Sequence, residues 1–241
     1  MVSDIQDRLQ AFFPVHYRSG NILLINADCM EVMKHIRDGE FELSCVDPPY
    51  GIGAARGAHS NLSKLGSKLW DSEPPSIDYF VELLRISSNQ IIWGGNYFTL
   101  PPTRCFIFWD KHPMPPSYAA GEYAWTSFDA NAAKWNGRTG DDVAVKHRVH
   151  PTQKPVKLYE WLLTNYAKPG QRILDTHGGS MSIAIACYNL GYSLTLCELD
   201  EDYYKAGVAR FEQHKAQGSL FTPDTVRDVY EQADFLEVET E

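Results

Sequence analysis

The sequence has no run of 18 apolar residues, which predicts that no helix of this chain crosses a membrane. Its first residues, MVSDIQDRLQ, lack the basic and then apolar order of a secretory signal peptide. The five cysteines form no Cys-x-x-Cys pair and stand mostly among apolar residues, as reduced core cysteines do. The eight histidines are scattered, and no metal site is predicted from them. These absences predict a reduced, cytoplasmic protein.

Two common nucleotide-binding motifs are also missing. The sequence contains no Gly-x-Gly-x-x-Gly, which disfavours a dinucleotide site, and no Gly-Lys-Ser/Thr, which disfavours a phosphate-cradling loop. Any nucleotide-like ligand is therefore expected to bind through another arrangement.

Overall basic charge is lacking as well, since the formal net charge is −9. Residues 51–70, however, contain three basic residues and no acid, and residues 131–157 contain six basic residues against two aspartates. These two segments predict either a local footprint for a polyanion or a pair of solvated loops.

Apolar segments that predict strands alternate with amphipathic segments that predict helices. Strands are predicted at residues 21–28, 41–47, 90–95, 104–110, 171–175 and 193–200, and helices at 30–39, 76–87, 156–167, 182–191 and 201–214. This alternation predicts an α/β protein whose mostly parallel sheet carries helices on both faces.

Two finer predictions concern single elements. Residues 121–128 and 132–136 alternate enough to be strands, and their proximity in sequence suggests a hairpin pair. The helix at 76–87 is predicted to carry one apolar face, formed by Ile77, Phe80, Val81 and Leu84.

An acidic residue stands at the end of four predicted strands, namely Asp28, Asp47, Asp175 and Glu198. Ligands of parallel sheets bind beyond the carboxyl ends of the strands. The four acids therefore predict a site for hydroxyl or amine donors, or for a cation.

The segment ILDTHGGSMSIAIAC, residues 173–187, joins a strand to a helix through a loop of small residues. Gly178 and Gly179 permit a tight turn and a close approach to a ligand. Glu198 ends the next strand, where an acid can take ribose hydroxyls. The segment predicts an adenosine site; the alternative is a tight turn before a core helix.

In HPTQKP, residues 150–155, two prolines bracket Thr152, Gln153 and Lys154. These polar side chains and the lysine cation suit a carboxylate ligand. The alternative is a plain helix entry, with Pro155 near the first helical position.

In CVDPPYGIG, residues 45–53, a strand ends at Asp-Pro-Pro-Tyr. The Asp47 carboxylate and the Pro48 carbonyl can each accept one N–H of an exocyclic amine, and Tyr50 can stack on the ring that carries it. The alternative is a strand-ending turn.

Together the three motifs resemble the S-adenosylmethionine-dependent DNA amino-methyltransferases of the beta order, in which Asp-Pro-Pro-Tyr comes first and the cofactor loop last. The segment NADCMEVM resembles the family's stretch before the catalytic motif, and the resemblance covers about residues 20–212. It implies a Rossmann-like methyltransferase fold with permuted motif order. A single domain is expected at 1–215, with DNA-contacting loops at about 51–75 and 137–149 and an acidic tail at 216–241.

The resemblance also implies roles for residues. The catalytic residues would be Asp47, Pro48, Pro49 and Tyr50. S-adenosylmethionine would be bound by Asp28, Asp47, Thr152, Gln153, Lys154, Asp175, Thr176, His177, Gly178, Gly179, Ser180 and Glu198. Within the two loops, DNA would be contacted by Arg56, Lys64, Lys68, Arg138, Lys146 and Arg148. His177 and Met181 depart from the family pattern, which usually has Phe and Gly at these places, and a side chain at 181 is expected to crowd the loop.

The expected function is site-specific methylation of N6 of an adenine flipped out of double-stranded DNA, as in restriction-modification systems. N4-cytosine methylation is the alternative with the same chemistry. A non-catalytic DNA- or cofactor-binding relative is the alternative that Met181 motivates. A homodimer is a possible assembly.

Overall fold

The computed structural model describes residues 4–53, 71–111, 119–138 and 148–217. The helices in these ranges are α1 (Ile5–Phe12), α2 (Cys29–Met33), α3 (Ile77–Ile86), α4 (Val156–Tyr166), α5 (Ser182–Leu190) and α6 (Glu201–Ala216), with a 3-10 turn at Gly95–Tyr97. The strands are β1 (His16–Ser19), β2 (Ile22–Asn26), β3 (Phe41–Val46), β4 (Ser87–Trp93), β5 (Phe106–Asp110), β6 (Gly121–Thr126), β7 (Ala133–Asn136), β8 (Arg172–Asp175) and β9 (Ser193–Glu198).

The strands form one sheet in the order β1-β2-β9-β8-β3-β4-β6-β5-β7. The five consecutive strands from β2 to β4 in this order are parallel. The register places Asn26 opposite Glu198 and Asp175 opposite Leu196, so these strands end at one edge. The predicted α/β class with a mostly parallel sheet is confirmed.

Helices cover both faces of the sheet, because successive side chains of a buried strand point to opposite sides. In β2, for example, Leu24 joins a core cluster with residues of α4, α5 and α6. Leu23 joins a second cluster with residues of α1, α2 and α3. The continuous apolar runs of the central strands therefore contribute side chains to two cores, one on each face of the sheet.

The helix predicted at 76–87 is present as α3, but the face that it buries is not the predicted apolar face, except at Phe80. The buried residues of α3 are Tyr79, Phe80, Leu83 and Ile86, whereas Ile77, Val81 and Leu84 are 59%, 56% and 39% exposed. The helix carries two apolar stripes, and periodicity alone does not choose between them. The buried stripe is the one that packs into the second core cluster.

The predicted hairpin of residues 121–128 and 132–136 is also wrong. β5 lies between the two strands, pairing with β6 antiparallel and with β7 parallel. β6 pairs on its other side with β4. β5, which is rich in aromatic residues, therefore occupies the position beside β6 that the predicted hairpin gave to β7.

The first elements of the chain also differ from the predicted ones. α2 ends at Met33 rather than near residue 39, and α1 and β1 were not predicted. Within the described ranges, no helix is both long and apolar enough to cross a membrane. The acidic tail beyond residue 217 and most of the two basic loops lie outside the described residues.

Candidate active site

One cavity of about 1070 Å³ opens at the carboxyl ends of the parallel strands. Its lining includes three of the predicted strand-end acids, Asp28, Asp47 and Glu198, whereas the fourth, Asp175, is buried and does not line it. The volume is at the upper end of what small-molecule sites usually enclose, about 300–1,000 Å³, and leaves room for a cofactor and part of a second substrate.

The Asp-Pro-Pro-Tyr corner is held by Asp71, which the sequence analysis did not single out. The buried Asp71 Oδ1 accepts hydrogen bonds from the backbone N–H of Tyr50 (2.7 Å) and of Gly51 (2.9 Å). Two charge-assisted bonds to consecutive amides stiffen the turn that follows β3. The corner is therefore fixed from outside as well as by its prolines.

Tyr50 is held on three sides. Its hydroxyl donates to Asp47 Oδ1 at 2.7 Å, and the Tyr97 ring stacks on it with centroids 5.1 Å apart. Gly94 has φ 72°, and a Cβ there would overlap the Tyr50 ring. Burial, followed by the charges of Asp47 and Glu122, raises the pKa of Tyr50 well above its ordinary value. Tyr50 is thus a neutral phenol that donates to Asp47.

A buried ionic cluster surrounds Asp47. Lys154 Nζ lies 2.5 Å from Asp47 Oδ2 and 3.0 Å from Glu122 Oε2, and Glu122 also pairs with Lys111. Burial opposes charge on Lys154, but the Asp47 and Glu122 carboxylates outweigh it and raise the pKa of Lys154. Burial likewise opposes charge on Glu122, but the two lysines hold its pKa well below the ordinary value. Lys154 and Glu122 are therefore both charged.

Sequence reasoning missed Glu122 and Lys111. The signal was an acid within the apolar strand GEYAWT and a lysine after FIFWD, but neither residue indicates its partner. The sequence pattern predicted that Lys154 binds a ligand carboxylate, but in the structure it pairs with Asp47. HPTQKP precedes α4 at this edge of the sheet, which brings the two residues together.

The other HPTQKP side chains bond within their own corner. Gln153 Oε1 accepts from the Val149 N–H at 3.1 Å, and Thr152 Oγ1 lies 3.2 Å from His150 Nδ1. The His150 ring contacts Tyr203 edge-on at 4.4 Å, and burial lowers its pKa to about 4. This corner forms a neutral wall of the cavity.

The predicted cofactor loop hydrogen-bonds to β9. The Gly178 N–H donates to the Cys197 carbonyl at 2.8 Å, and a Cβ at Gly178 would overlap Leu196. The Gly179 N–H donates to Glu198 Oε2 at 2.7 Å, while Glu198 Oε1 accepts from the Asp200 N–H at 2.8 Å. The glycines let the loop approach β9 closely, and each Glu198 oxygen keeps capacity for a hydroxyl donor.

Met181 does not crowd the cavity, contrary to the expectation from the sequence. Among the described residues it is the one non-glycine with positive φ, 58°. Its side chain is 0% exposed and contacts Gly207 of α6 instead of lining the cavity. The left-handed backbone turns the side chain into the core.

His177 and Thr176 contact Tyr79, a further residue that the sequence analysis did not single out. The Thr176 and Tyr79 hydroxyl oxygens are 2.6 Å apart, and the His177 ring meets Tyr79 edge-on at 5.4 Å. Burial lowers the pKa of His177 to about 4, so the ring is neutral. An aromatic pair therefore takes the place of the family's usual Phe.

The acids that line the cavity, together with Asp175 buried nearby, suit a cationic ligand. Asp175 is buried, and its burial followed by the charges of Asp47 and Glu198 raises its pKa to about 8. Asp28 also lines the cavity, while its Oδ1 caps α2 by accepting from the Met30 N–H at 2.8 Å. A sulfonium and an ammonium group would relieve this excess of carboxylates, so the donor set fits S-adenosylmethionine.

The predicted DNA contacts lie mostly outside the described residues, as Arg56, Lys64, Lys68 and Lys146 do. Arg138 is exposed just after β7, and Arg148 is half-buried, which lowers its pKa. In the described part of the chain, no group of three or more His, Cys, Asp or Glu side chains is arranged to hold a metal.

Comparisons with known proteins agree with this geometry. A family model described as DNA methylase matches residues 108–209. The protein named "Putative methylase YubD" of Escherichia coli (strain K12) is 32% identical over 225 residues, which are 83% of this chain and 97% of YubD.

Solved structures of DNA methyltransferases share the fold. The M1.HpyAVI–SAM complex matches with a TM-score of 0.53 at 20% identity, covering 78% of this chain and 99% of that one. The cytosine-N4-specific PvuII DNA methyltransferase matches with a TM-score of 0.58 at 13% identity, covering 90% and 93%. The chain therefore belongs to the family of DNA amino-methyltransferases that act on N6 of adenine or N4 of cytosine, and S-adenosylmethionine is its cofactor.

Proposed function

We propose that this protein methylates N6 of an adenine flipped out of double-stranded DNA. The observation that carries the proposal is a single cavity lined both by the Asp47–Tyr50 corner and by the glycine loop with Glu198. The predicted acceptor site and the predicted cofactor site therefore open into the same space, as direct methyl transfer requires.

The chain's own residues mainly have to position and polarise, because S-adenosylmethionine supplies an already activated methyl group. The Asp47 carboxylate and the Pro48 carbonyl would each accept one N–H of the amine. These bonds draw the amine towards tetrahedral geometry and concentrate its lone pair on nitrogen. A carboxylate with an ordinary pKa near 4 is too weak to remove a proton from a neutral amine first, so the proton leaves during or after transfer.

Adenine is proposed over cytosine because Asp47 stands first in the motif, where cytosine enzymes of the family more often carry Ser. The amine chemistry is the same for both bases, and N4-cytosine methylation is the second candidate. Expression in a methylation-free host, followed by sequencing that detects modified bases, identifies the base and the recognition site together. Modified cytosine in place of adenine would overturn the assignment.

The remaining parts of the proposal concern the whole chain. Residues 1–215 would form one methyltransferase domain, and the loops at about 51–75 and 137–149 would contact DNA through their basic residues. The exposure of Arg138 supports a contact there. Charge-neutralising substitution in either loop should weaken DNA binding and reduce its dependence on salt.

Asp47→Ala tests the catalytic assignment. Loss of the main acceptor should lower turnover at least about 100-fold, while calorimetry still detects S-adenosylmethionine binding. Asp78→Ala, which removes an exposed carboxylate on α3, is the control and should retain activity. Full turnover by Asp47→Ala would contradict the mechanism, and failure of the wild type to bind S-adenosylmethionine would favour the non-catalytic alternative.

A further inference from the structure

One of the three N–H donors of the Lys154 ammonium group has only a weak hydrogen-bond partner. The residue is only 4% exposed, yet it lines the cavity. An ammonium group has three donors. Two point at Asp47 (2.5 Å) and Glu122 (3.0 Å), and the third has only a 3.3 Å contact with the Tyr50 hydroxyl. A donor is therefore available directly beside the Asp47 carboxylate.

A carboxylate acceptor beside an ammonium donor matches one edge of the substrate base. In adenine the N6 amine is next to the ring nitrogen N1, which accepts hydrogen bonds, and in cytosine N4 is next to N3 in the same way. Enzymes that flip a base read this edge through hydrogen bonds. We propose that Lys154 donates to the ring nitrogen next to the target amine while Asp47 accepts from the amine. This inference rests on the proposed function and adds a substrate contact to it.

The sequence pattern assigned Lys154 to the carboxylate of the cofactor. That carboxylate fits the surroundings of Lys154 less well than a ring nitrogen does. A third carboxylate brought to Lys154 would also approach Asp47 and Glu122, whose negative charges repel it. A neutral ring nitrogen requires only one N–H and leaves both ion pairs intact. The contacts therefore favour the base over the cofactor as the partner of Lys154.

Glu122 is a positioning residue in this arrangement. It pairs with Lys154 in addition to Asp47, and it is itself held by Lys111. The Trp93 ring lies 5.2 Å from Lys154 Nζ and supports the cation. With Glu122 in place, Lys154 stays in position while Asp47 also accepts from the amine.

The test compares DNA that carries adenine with DNA that carries 1-deazaadenine at the target position. In 1-deazaadenine a C–H replaces N1, so the proposed contact is lost. For the wild type, kcat/KM should fall about 10- to 100-fold, the usual effect of losing a hydrogen bond to a charged group. Lys154→Met should be slower overall and should no longer distinguish the two bases. Lys157→Met, the same change at an exposed position of α4, should behave as the wild type does.

Glu122→Gln gives a second variant that preserves shape. It should lower kcat and shrink the penalty for 1-deazaadenine, while the Kd for S-adenosylmethionine stays unchanged. Glu160→Gln, at a buried glutamate that accepts from Asn189 and does not line the cavity, is its control. Loss of the base discrimination in that control as well would overturn the role of Glu122.

Two results would overturn the proposal. One is a wild-type kcat/KM for DNA with 1-deazaadenine that lies within about threefold of the value for DNA with adenine. This measurement uses the wild-type protein alone. The other is a Lys154→Met enzyme that keeps the penalty but binds S-adenosylmethionine at least about tenfold more weakly, since Lys154 would then hold the cofactor. If cytosine proves to be the methylated base, the adenine assignment fails, and 3-deazacytosine tests the same contact.

Discussion

Met181 offers a direct test of how this chain accommodates its unusual cofactor loop. Met181 has φ 58°, and its buried side chain contacts Gly207. The residue thus combines an unfavourable backbone conformation with favourable burial. Replacing it by glycine, the residue usual in the family, separates these two effects.

The expected balance favours methionine. Removing a buried methionine side chain costs about 2–5 kcal/mol, and glycine adds about 0.5–1 kcal/mol through the freedom of the unfolded chain. Release of the left-handed backbone returns about 1–2 kcal/mol. We therefore expect Met181→Gly to lower the free energy of unfolding by about 3 kcal/mol. Because Met181 does not line the cavity, the Kd for S-adenosylmethionine should change less than about threefold.

Chemical denaturation of a double-mutant cycle measures the packing. A Cβ at Gly207 would lie 2.7 Å from Met181 Cγ, so Gly207→Ala alone should destabilise the protein. In the Met181→Gly background the same methyl group enters vacated space and should cost less or even stabilise. Unchanged stability of Met181→Gly, or S-adenosylmethionine binding that becomes tenfold tighter or more, would refute the reasoning.

Two further predictions concern the pocket. The pKa of Asp175 is about 8 in the cofactor-free protein, and a cationic ligand lowers it; binding then releases a proton, so calorimetry should show S-adenosylmethionine affinity rising with pH up to about 8 and levelling above it. Asp175→Asn should lose this dependence, and a flat wild-type profile would contradict it. Gly94→Ala should lower kcat at least about tenfold, because the new methyl group overlaps Tyr50. Gly39→Ala, with φ 60° and open space around it, carries the same backbone cost of about 1 kcal/mol and should keep full activity; equal loss in both variants would show that backbone strain alone is responsible.

Strand positions and strand-end acids could be predicted from the sequence because they are local. A buried parallel strand is a short apolar run, and its end is marked by a proline, a glycine or an acid that cannot continue it. Asp47, Asp175 and Glu198 are such ends. Since parallel strands finish at one edge, placing these acids at a common edge of the sheet required no knowledge of the strand order.

The direction of single side chains depended on tertiary contacts. Met181 was expected to crowd the cofactor loop, because the sequence shows a large residue in a small-residue loop but does not show that its φ is positive. In α3 the sequence shows two apolar stripes, and only the packing of the helix against the core shows which of them is buried. β7 pairs with β5 rather than with β6, and adjacency in sequence does not reveal this.

The chain by itself determined which chemical groups are present and that four acids, a rigid Asp-Pro-Pro-Tyr corner and a glycine loop meet at one edge. Only the tertiary structure decided what those groups bind. Lys154 and Asp47 are 107 residues apart and Lys111 and Glu122 lie on separate segments, so no local pattern links them. Burial makes each of these charges require a partner, and the packing of β3, β6 and the segment before α4 selects which one.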